Sequence, residues 1–148
     1  MTATESLRVA GATYTRACRV VDIEVEGGVA ALVDGEPIAI FRTYGGNVHA
    51  MSNVDPFSRA SVMARGILGT RRVDGCEVWF VASPMHKQAF CLRTGQCLDD
   101  AAVRIPVHDV RIIGDDVLVG PRTWLTTTTE EEPWTTRPTG RSPASGSG

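Results

Sequence analysis

Four features are scarce or missing in this sequence of 148 residues: a surplus of one charge, long apolar runs, paired cysteines and lysine. Lysine and arginine number 15 against 17 aspartates and glutamates, a formal net charge of -2, so no basic surplus exists to neutralise nucleic-acid phosphates. No apolar stretch approaches the roughly 18 residues that cross a membrane. A charged and then apolar secretion signal is also missing. We therefore expect a cytoplasmic protein that binds neither nucleic acid nor membrane.

The cysteines form no C-x-x-C pair, which removes the usual pattern of a closed zinc site or a thioredoxin-like motif. They are Cys18, Cys76, Cys91 and Cys97. In a chain without a secretion signal, we predict packed core thiols rather than disulfides. The three histidines lie in unrelated segments and give no metal-ligand spacing: His49, His86 and His108. No metal site is therefore predicted.

The composition divides the chain into three segments. Residues 1–12 are polar, without a periodic pattern, and are expected to form a flexible leader. Residues 13–120 consist of short apolar or alternating segments separated by glycine-containing turns, which is typical of a mostly β domain. Residues 121–148 are rich in Thr, Pro, Ser and Gly, a composition that predicts a disordered tail.

Turn signals give the order of the predicted strands. Asp34-Gly35, between segments 29–33 and 37–42, favours a tight hairpin because both residues accept a positive φ. Gly45-Gly46 then leads into a third strand at 47–51. Further strands are predicted at 77–82, 89–92, 104–108, 110–113 and 117–119. The sum is a small β-sandwich or barrel of antiparallel strands.

One short helix is predicted within this β domain, at residues 58–65. Ser58 would be its N-cap, and Gly66 lies just past its end.

Two loops share a plan in which a proline stands beside short polar residues at a strand end. One reads Asn53-Val54-Asp55-Pro56-Phe57-Ser58, and the other reads Ser83-Pro84-Met85-His86-Lys87-Gln88. The second runs on through Phe90 into L-R-T-G at 92–95. This arrangement resembles a Rieske domain, in which loops reading C-P-H and C-P-x-H-G hold a [2Fe-2S] cluster. The resemblance implies a Rieske-like fold with two loop tips that face one another.

The resemblance also places residues of this chain at the four cluster-ligand positions. Asp55 and Ser83 stand where the cysteines belong, and Phe57 and His86 stand where the histidines belong. Oxygen donors are poor replacements for thiolates on a sulfide-bridged cluster, and a phenyl ring has no donor atom. Lys87 replaces the glycine that follows the second histidine. We therefore predict that this chain binds no cofactor or metal and has no catalytic residue of its own.

Four sequence elements narrow the resemblance. N-x-D-P-F-S at 53–58, A-S-P-x-x-K-Q-x-F at 82–90, L-R-T-G-x-C-L at 92–98 and R-x-P-V at 104–107 are similar to the small subunits, of the NirD type, of assimilatory NAD(P)H-dependent nitrite reductases. This resemblance implies a part in reducing nitrite to ammonium during nitrate assimilation. FAD, siroheme and an iron-sulfur cluster would belong to a large subunit, and this chain would be its redox-silent docking partner.

The loop tips are the candidate interface with that large subunit. Phe57 and Met85 would form its apolar centre, and Asp55, His86 and Lys87 would form its polar rim. For Phe57 we favour the other possibility, that the ring packs inward where a cluster would lie. His86 is expected to be a hydrogen-bonded structural residue and Lys87 to be exposed.

Two other functions stay open at this stage. One is a Rieske-type [2Fe-2S] ferredoxin with unusual ligands, which would transfer electrons itself. The other is a stand-alone β-sandwich binding module that engages a partner through Trp124 and Trp134 of the tail. Iron and sulfide content separates the first from a redox-silent subunit, and truncation of the tail separates the second.

Overall fold

The computed structural model describes residues 2–3 and 5–123, and most of these residues lie in strands. The strands are β1 (Thr2–Ala3), β2 (Ser6–Val9), β3 (Ala12–Arg19), β4 (Gly27–Val33), β5 (Glu36–Arg42), β6 (Val48–Ser52), β7 (Ile67–Val73), β8 (Cys76–Ala82), β9 (Ala89–Cys91), β10 (Val107–Ile113) and β11 (Asp116–Thr123). From residue 124 onward, the predicted tail with both of its tryptophans lies outside the described residues.

The strands form two sheets. One has eight strands in the order β1-β4-β5-β6-β10-β11-β3-β2, and the other has three in the order β7-β8-β9. Neighbouring strands run antiparallel, as predicted, except that β1 lies parallel to β4. The prediction of a mostly β, Rieske-like architecture is confirmed. Within the described part of the chain, no helix is long and apolar enough to span a bilayer.

The hairpin between β4 and β5 forms where the sequence predicts it. Asp34 has a φ of 52° and Gly35 a φ of 78°, so both central residues of the turn are left-handed. The third predicted strand is β6. Of the two segments predicted at 104–108 and 110–113, residues 107–113 form one strand, β10, whose pairing with β11 shifts register between His108 and Val110. A β-bulge therefore replaces the predicted break.

The predicted helix at 58–65 is wrong. The residues form a loop that ends in a single 3-10 turn, Met63–Arg65, followed by Gly66. Ser58 does not cap a helix; its Oγ accepts a bond from the Ala60 amide. Short polar side chains compete for backbone donors in this way, which favours turns over helix. A second 3-10 turn, Val20–Asp22, lies after β3.

Two hydrophobic clusters lie on opposite faces of β5. Ile38 and Ile40 belong to the first cluster, with residues of β3, β4 and β11, whereas Ala39 and Phe41 belong to the second, with Phe90 and others of the small sheet. All four side chains are fully buried. Burial on both faces explains the unbroken apolar run of β5. The second cluster packs the three-stranded sheet, which carries one of the two loops, against the larger sheet.

The N-terminal strands bring the edges of the larger sheet together. β1 and β2 stand at opposite ends of its strand order, yet they are separated in sequence by residues 4 and 5 alone. Three residues of chain reach at most about 11 Å, so the sheet must curl until its two edges are close. β2 lies within the segment 1–12 expected to be a leader, and it pairs with β3 along Ser6–Val9.

Candidate functional site

The two loops singled out in the sequence adopt the same backbone turn. In the first loop, the Asp55 amide donates to the Ala60 carbonyl (2.9 Å) and the Arg59 amide donates to the Asp55 carbonyl (2.7 Å). In the second, the Ser83 amide donates to the Gln88 carbonyl and the Lys87 amide to the Ser83 carbonyl, both at 2.9 Å. The two turns are therefore structural twins, and we call them loop 1 (residues 55–60) and loop 2 (residues 83–88).

The first side chain of each twin loop also has the same task. Asp55 Oδ1 accepts a hydrogen bond from the Phe57 amide at 2.8 Å, and Ser83 Oγ accepts one from the Met85 amide at 3.2 Å. Both side chains are buried. An oxygen atom two residues before the donor amide thus stabilises each turn.

Asp55 and Ser83 join the two loops to each other. The Ser83 hydroxyl donates a short hydrogen bond to Asp55 Oδ2, and both residues are buried, with Asp55 0% exposed. We predicted Asp55 in the polar rim of an interface, which is wrong because its carboxylate is enclosed between the loops. Its role is internal: it satisfies donors from both loops.

Hydrogen bonds favour the ionised form of the Asp55 carboxylate despite its burial. Burial by itself raises its pKa, but the Ser83 hydroxyl and the backbone amides of Phe57 and Ser58 donate hydrogen bonds that favour the charged form. The net effect holds the pKa of Asp55 below its usual range. The hydrogen bonds of loop 1 thus favour a buried negative charge, and the ion pairs among the described residues do not include Asp55.

The side chain of Phe57 is partly packed against the core and partly exposed to solvent. Its ring centroid is 6.2 Å from that of Phe90, which is fully buried, and the two rings are tilted by 46°. The side chain nevertheless leaves 36% of its surface exposed. The inward packing that we favoured is therefore only partial: the ring contacts Phe90, but one side of it stays exposed.

Loop 2 presents its side chains to solvent. Met85 is 50% exposed, and Pro84, His86 and Lys87 are exposed as well. Lys87 adopts a φ of 64°, the left-handed conformation that glycine enters most easily. The turn has thus kept the geometry of the glycine expected here while carrying a long cation.

Neither loop offers a donor set that fits a [2Fe-2S] cluster. Two of the four ligand positions carry oxygen atoms that are hydrogen-bonded to each other, Asp55 Oδ2 and Ser83 Oγ. A third position carries the phenyl ring of Phe57. His86 is one imidazole where two imidazoles and two thiolates are required. Among residues 2–3 and 5–123, no group of three or more His, Cys, Asp and Glu could hold a metal ion.

The cysteines lie away from the twin loops and remain free thiols. Cys18, Cys91 and Cys97 are buried, as predicted, and burial raises the pKa of the Cys18 thiol to about 11. Cys76 was expected in the core but is exposed, because it follows the Asp74-Gly75 turn at the start of β8. None of the four cysteines stands at one of the four cluster-ligand positions, which are residues 55, 57, 83 and 86.

Two residues of the site escaped the sequence analysis. Asn53 braces loop 1: its Nδ2 donates to Ser61 Oγ at 2.8 Å and its Oδ1 accepts from the Ala64 amide at 2.7 Å. Arg59 occupies in loop 1 the place that Lys87 occupies in loop 2, with a φ of 67°. A comparison of the two loops would have found it, since each has a cation four residues after the linking side chain.

A pocket of about 240 Å³, away from the loop tips, is lined by His49, Arg93, His108 and Asp109 among others. Burial and the nearby charge of Arg93 lower the pKa of His49 to about 4, so the imidazole is neutral at physiological pH. His108 Nδ1 lies 2.9 Å from the Gly120 carbonyl. The structure thus brings His49 and His108 to one pocket and leaves His86 at the loop tip.

Comparison with known proteins shows which family this chain is similar to. Residues 13–120 match the Rieske-like [2Fe-2S] domain. The nitrite reductase (NADH) small subunit of Salmonella typhimurium strain LT2 is 43% identical over 96 residues, which cover 64% of this chain and 85% of that protein. The NMR structure of the Escherichia coli protein NirD superimposes with a TM-score of 0.66 at 35% identity, covering 74% of this chain and 97% of that one.

A further relative is a much longer protein. The nitrite reductase [NAD(P)H] large subunit of Klebsiella oxytoca is 33% identical to this chain over 103 residues, 70% of this chain but 10% of that protein. A segment of that large subunit is thus similar to this chain.

Proposed function

Because this chain belongs to the Rieske-like [2Fe-2S] domain family and, within it, to the nitrite reductase small subunits, we propose that it acts as a redox-silent subunit that docks on a large catalytic subunit. The enzyme would reduce nitrite to ammonium in the cytoplasm, with electrons from NADH or NADPH, as part of nitrate assimilation. FAD, siroheme and an iron-sulfur cluster would be bound by the large subunit. This chain would contribute contacts rather than electron transfer.

The observation that carries this proposal is the hydrogen bond between Asp55 and Ser83. It joins the loops through the two side chains that stand at cysteine positions, so the tip is held together without a metal. Electron transfer would need a redox centre, and oxygen donors at these positions do not favour a sulfide-bridged cluster.

Docking is supported by what the tip exposes and by the Klebsiella relative. Phe57 and Met85 leave apolar surface at the ends of both loops. Exposed apolar side chains surrounded by polar ones are typical of protein interfaces. In the Klebsiella large subunit, the similar segment is part of the same polypeptide as the rest of that subunit. A covalent link of this kind favours a domain that works in contact with the catalytic body.

Binding to the cognate large subunit tests the docking role. We expect a Phe57→Ala/Met85→Ala double variant of the full chain to bind at least about tenfold more weakly than the wild type, because apolar anchors dominate interface energies. Leu7→Ala is the matched control, since Leu7 is also half exposed (47%) but lies on β2. Affinity is measured by titration calorimetry, and nitrite-dependent NADH or NADPH oxidation is followed in parallel.

Three outcomes would contradict the proposal. Unchanged affinity of the double variant would remove the tip as the docking face. Stoichiometric iron and sulfide with visible absorption, in protein from iron-replete cells, would show a ferredoxin-like electron carrier. Loss of binding after removal of residues 124–148, with no effect of the loop variants, would make the tail the recognition element.

A further inference from the structure

We infer that the twin loops form a two-pronged docking face, in which each loop supplies one apolar side chain and one cation, and that the large subunit meets it with carboxylates opposite Arg59 and Lys87. This inference rests on the proposed docking function and specifies the chemistry of the partner surface. It is carried by the equivalence of the two loops, by their charges and by the backbone conformation of the two cationic residues.

The two cations occupy equivalent places. Arg59 and Lys87 are each the fifth residue of their turn, each donates its amide to the carbonyl of the first residue, and each has a left-handed φ, 67° and 64°. Both side chains are exposed. Neither has the short polar side chain that makes Asn and Asp tolerant of this conformation. A long cation at both positions is therefore unexplained by the turn itself, where glycine would be relaxed.

The two apolar side chains are equivalent as well. Phe57 and Met85 are each the third residue of their turn and leave 36% and 50% of their surfaces exposed. Ile67 adds to the same region: it is 73% exposed and pairs with Ala82, the residue before loop 2. Each loop thus exposes one apolar side chain and one cation, and Ile67 exposes a further apolar side chain beside the start of loop 2.

The charge of this region differs from that of the whole chain. Segments 53–67 and 83–88 contain three exposed cations, Arg59, Arg65 and Lys87, while the acidic residue in them, Asp55, is buried. The full chain has a net charge of -2. The ion pairs of the described residues involve none of these three cations. Asp99, at the base of loop 2, already pairs with Arg71 and accepts the Ala89 amide.

An acidic partner surface follows from these charges. Cations at the rim of an apolar interface steer a partner of opposite charge and set the register of binding, and they act mainly on the association rate. Because the two loops are joined through Asp55 and Ser83, the two turns that carry the cations are tied to each other. Two carboxylates at a matching spacing are the complement that this face would select.

Association kinetics with the cognate large subunit test the inference. The variant is Arg59→Gly/Lys87→Gly in the full chain, which removes both cations and suits the left-handed backbone, so the fold is retained. We expect its association rate constant at 50 mM NaCl to fall at least about tenfold, with the dissociation rate constant changed less than about twofold. The dependence of the wild-type rate on salt should flatten in the variant.

Control variants make the result specific. Arg8→Gln removes a cation from β2 and should leave the association rate within about twofold of wild type. Phe57→Ala/Met85→Ala should act on dissociation instead. If that apolar variant loses affinity but the glycine variant keeps the wild-type rate and salt dependence, the acidic partner surface is overturned and docking stands. If the wild-type chain forms no complex at all, docking itself is overturned, and this inference falls with it.

Discussion

Loop 1 and loop 2 share a backbone but differ in how they are anchored. Loop 1 is braced by Asn53, places the ring of Phe57 on Phe90 and encloses the charge of Asp55. Loop 2 is held by its own turn and by Ser83, and its residues from Pro84 to Lys87 are exposed. One turn therefore serves two purposes, as part of the core in the first case and as a presented surface in the second.

The difference shows which contacts hold the two loops together in a Rieske-like fold whose cluster-ligand positions carry other residues. Asp55 accepts hydrogen bonds from donors in both loops, so it is an internal anchor common to the two turns. Ser83 is one of those donors and could be lost with less effect. We therefore expect substitution of the enclosed residues of loop 1 to affect folding more than substitution in loop 2, whereas the exposed side chains of both loops affect binding.

Substitution of Asp55 should lower the free energy of unfolding more than any other change in the two loops. Asp55→Ala leaves the Ser83 hydroxyl and the Phe57 amide without their acceptor, and we expect the free energy of unfolding to fall by about 3 kcal/mol. Ser83→Ala removes one donor from a carboxylate that keeps its backbone amides, and it removes the acceptor of the Met85 amide in an exposed loop, so about 1–2 kcal/mol is expected. Urea unfolding of both variants measures the difference, and equal losses would show that the two loops are equally anchored.

The exposed apolar side chains should separate the loops by a smaller amount. Phe57→Ala removes the contact with Phe90, and we expect a loss of about 1–2 kcal/mol, less than for a fully buried ring. Met85→Ala should change stability by less than about 0.5 kcal/mol because half of the side chain is already in water. A larger loss for Met85 than for Phe57 in thermal unfolding would reverse the assignment of core and surface.

The effect of acid on the free energy of unfolding, through Asp55 of loop 1, should be smaller than the effects of the substitutions above. The pKa of Asp55 is lower in the folded protein than the roughly 3.9 of an unfolded aspartate, so its stabilisation is complete above that value. It is lost as the pH falls from there through the folded pKa, because over that range the unfolded state takes up a proton that the folded state does not. Unfolding free energies between pH 6 and pH 3 should decline less steeply in Asp55→Asn than in the wild type. Parallel curves would show that another group accounts for the acid sensitivity.

Much of the fold follows from local signals in the sequence. Asp34-Gly35 requires a left-handed turn, and the hairpin forms there. The strands of residues 76–82 and 89–91 and the Rieske-like architecture also agree with prediction. The helix at 58–65 failed because Ser58 and Asn53 form turn and loop hydrogen bonds instead of capping a helix. β7 was missed, because its partly buried pattern contains Gly69 and two arginines and is therefore not strongly alternating.

The site was predictable in position but less so in chemistry. The resemblance to Rieske loops placed Asp55, Phe57, Ser83 and His86 in two loops, and both loops form as local turns in the structure. The burial of Asp55 could not be read from the sequence, because it depends on a hydrogen bond to a residue 28 positions away. The equivalence of Arg59 and Lys87 likewise became visible through the matching hydrogen bonds of two separate turns.

The pairing of β1 with β4 and of β2 with β3 has a consequence for solubility. Without these two strands, β4 and β3 would both become edge strands with unpaired backbone amides and carbonyls. Such edges recruit other chains and promote aggregation. Strands β1 and β2, which lie in a segment that looks dispensable in the sequence, therefore cover these edges and keep the sheets of neighbouring molecules apart.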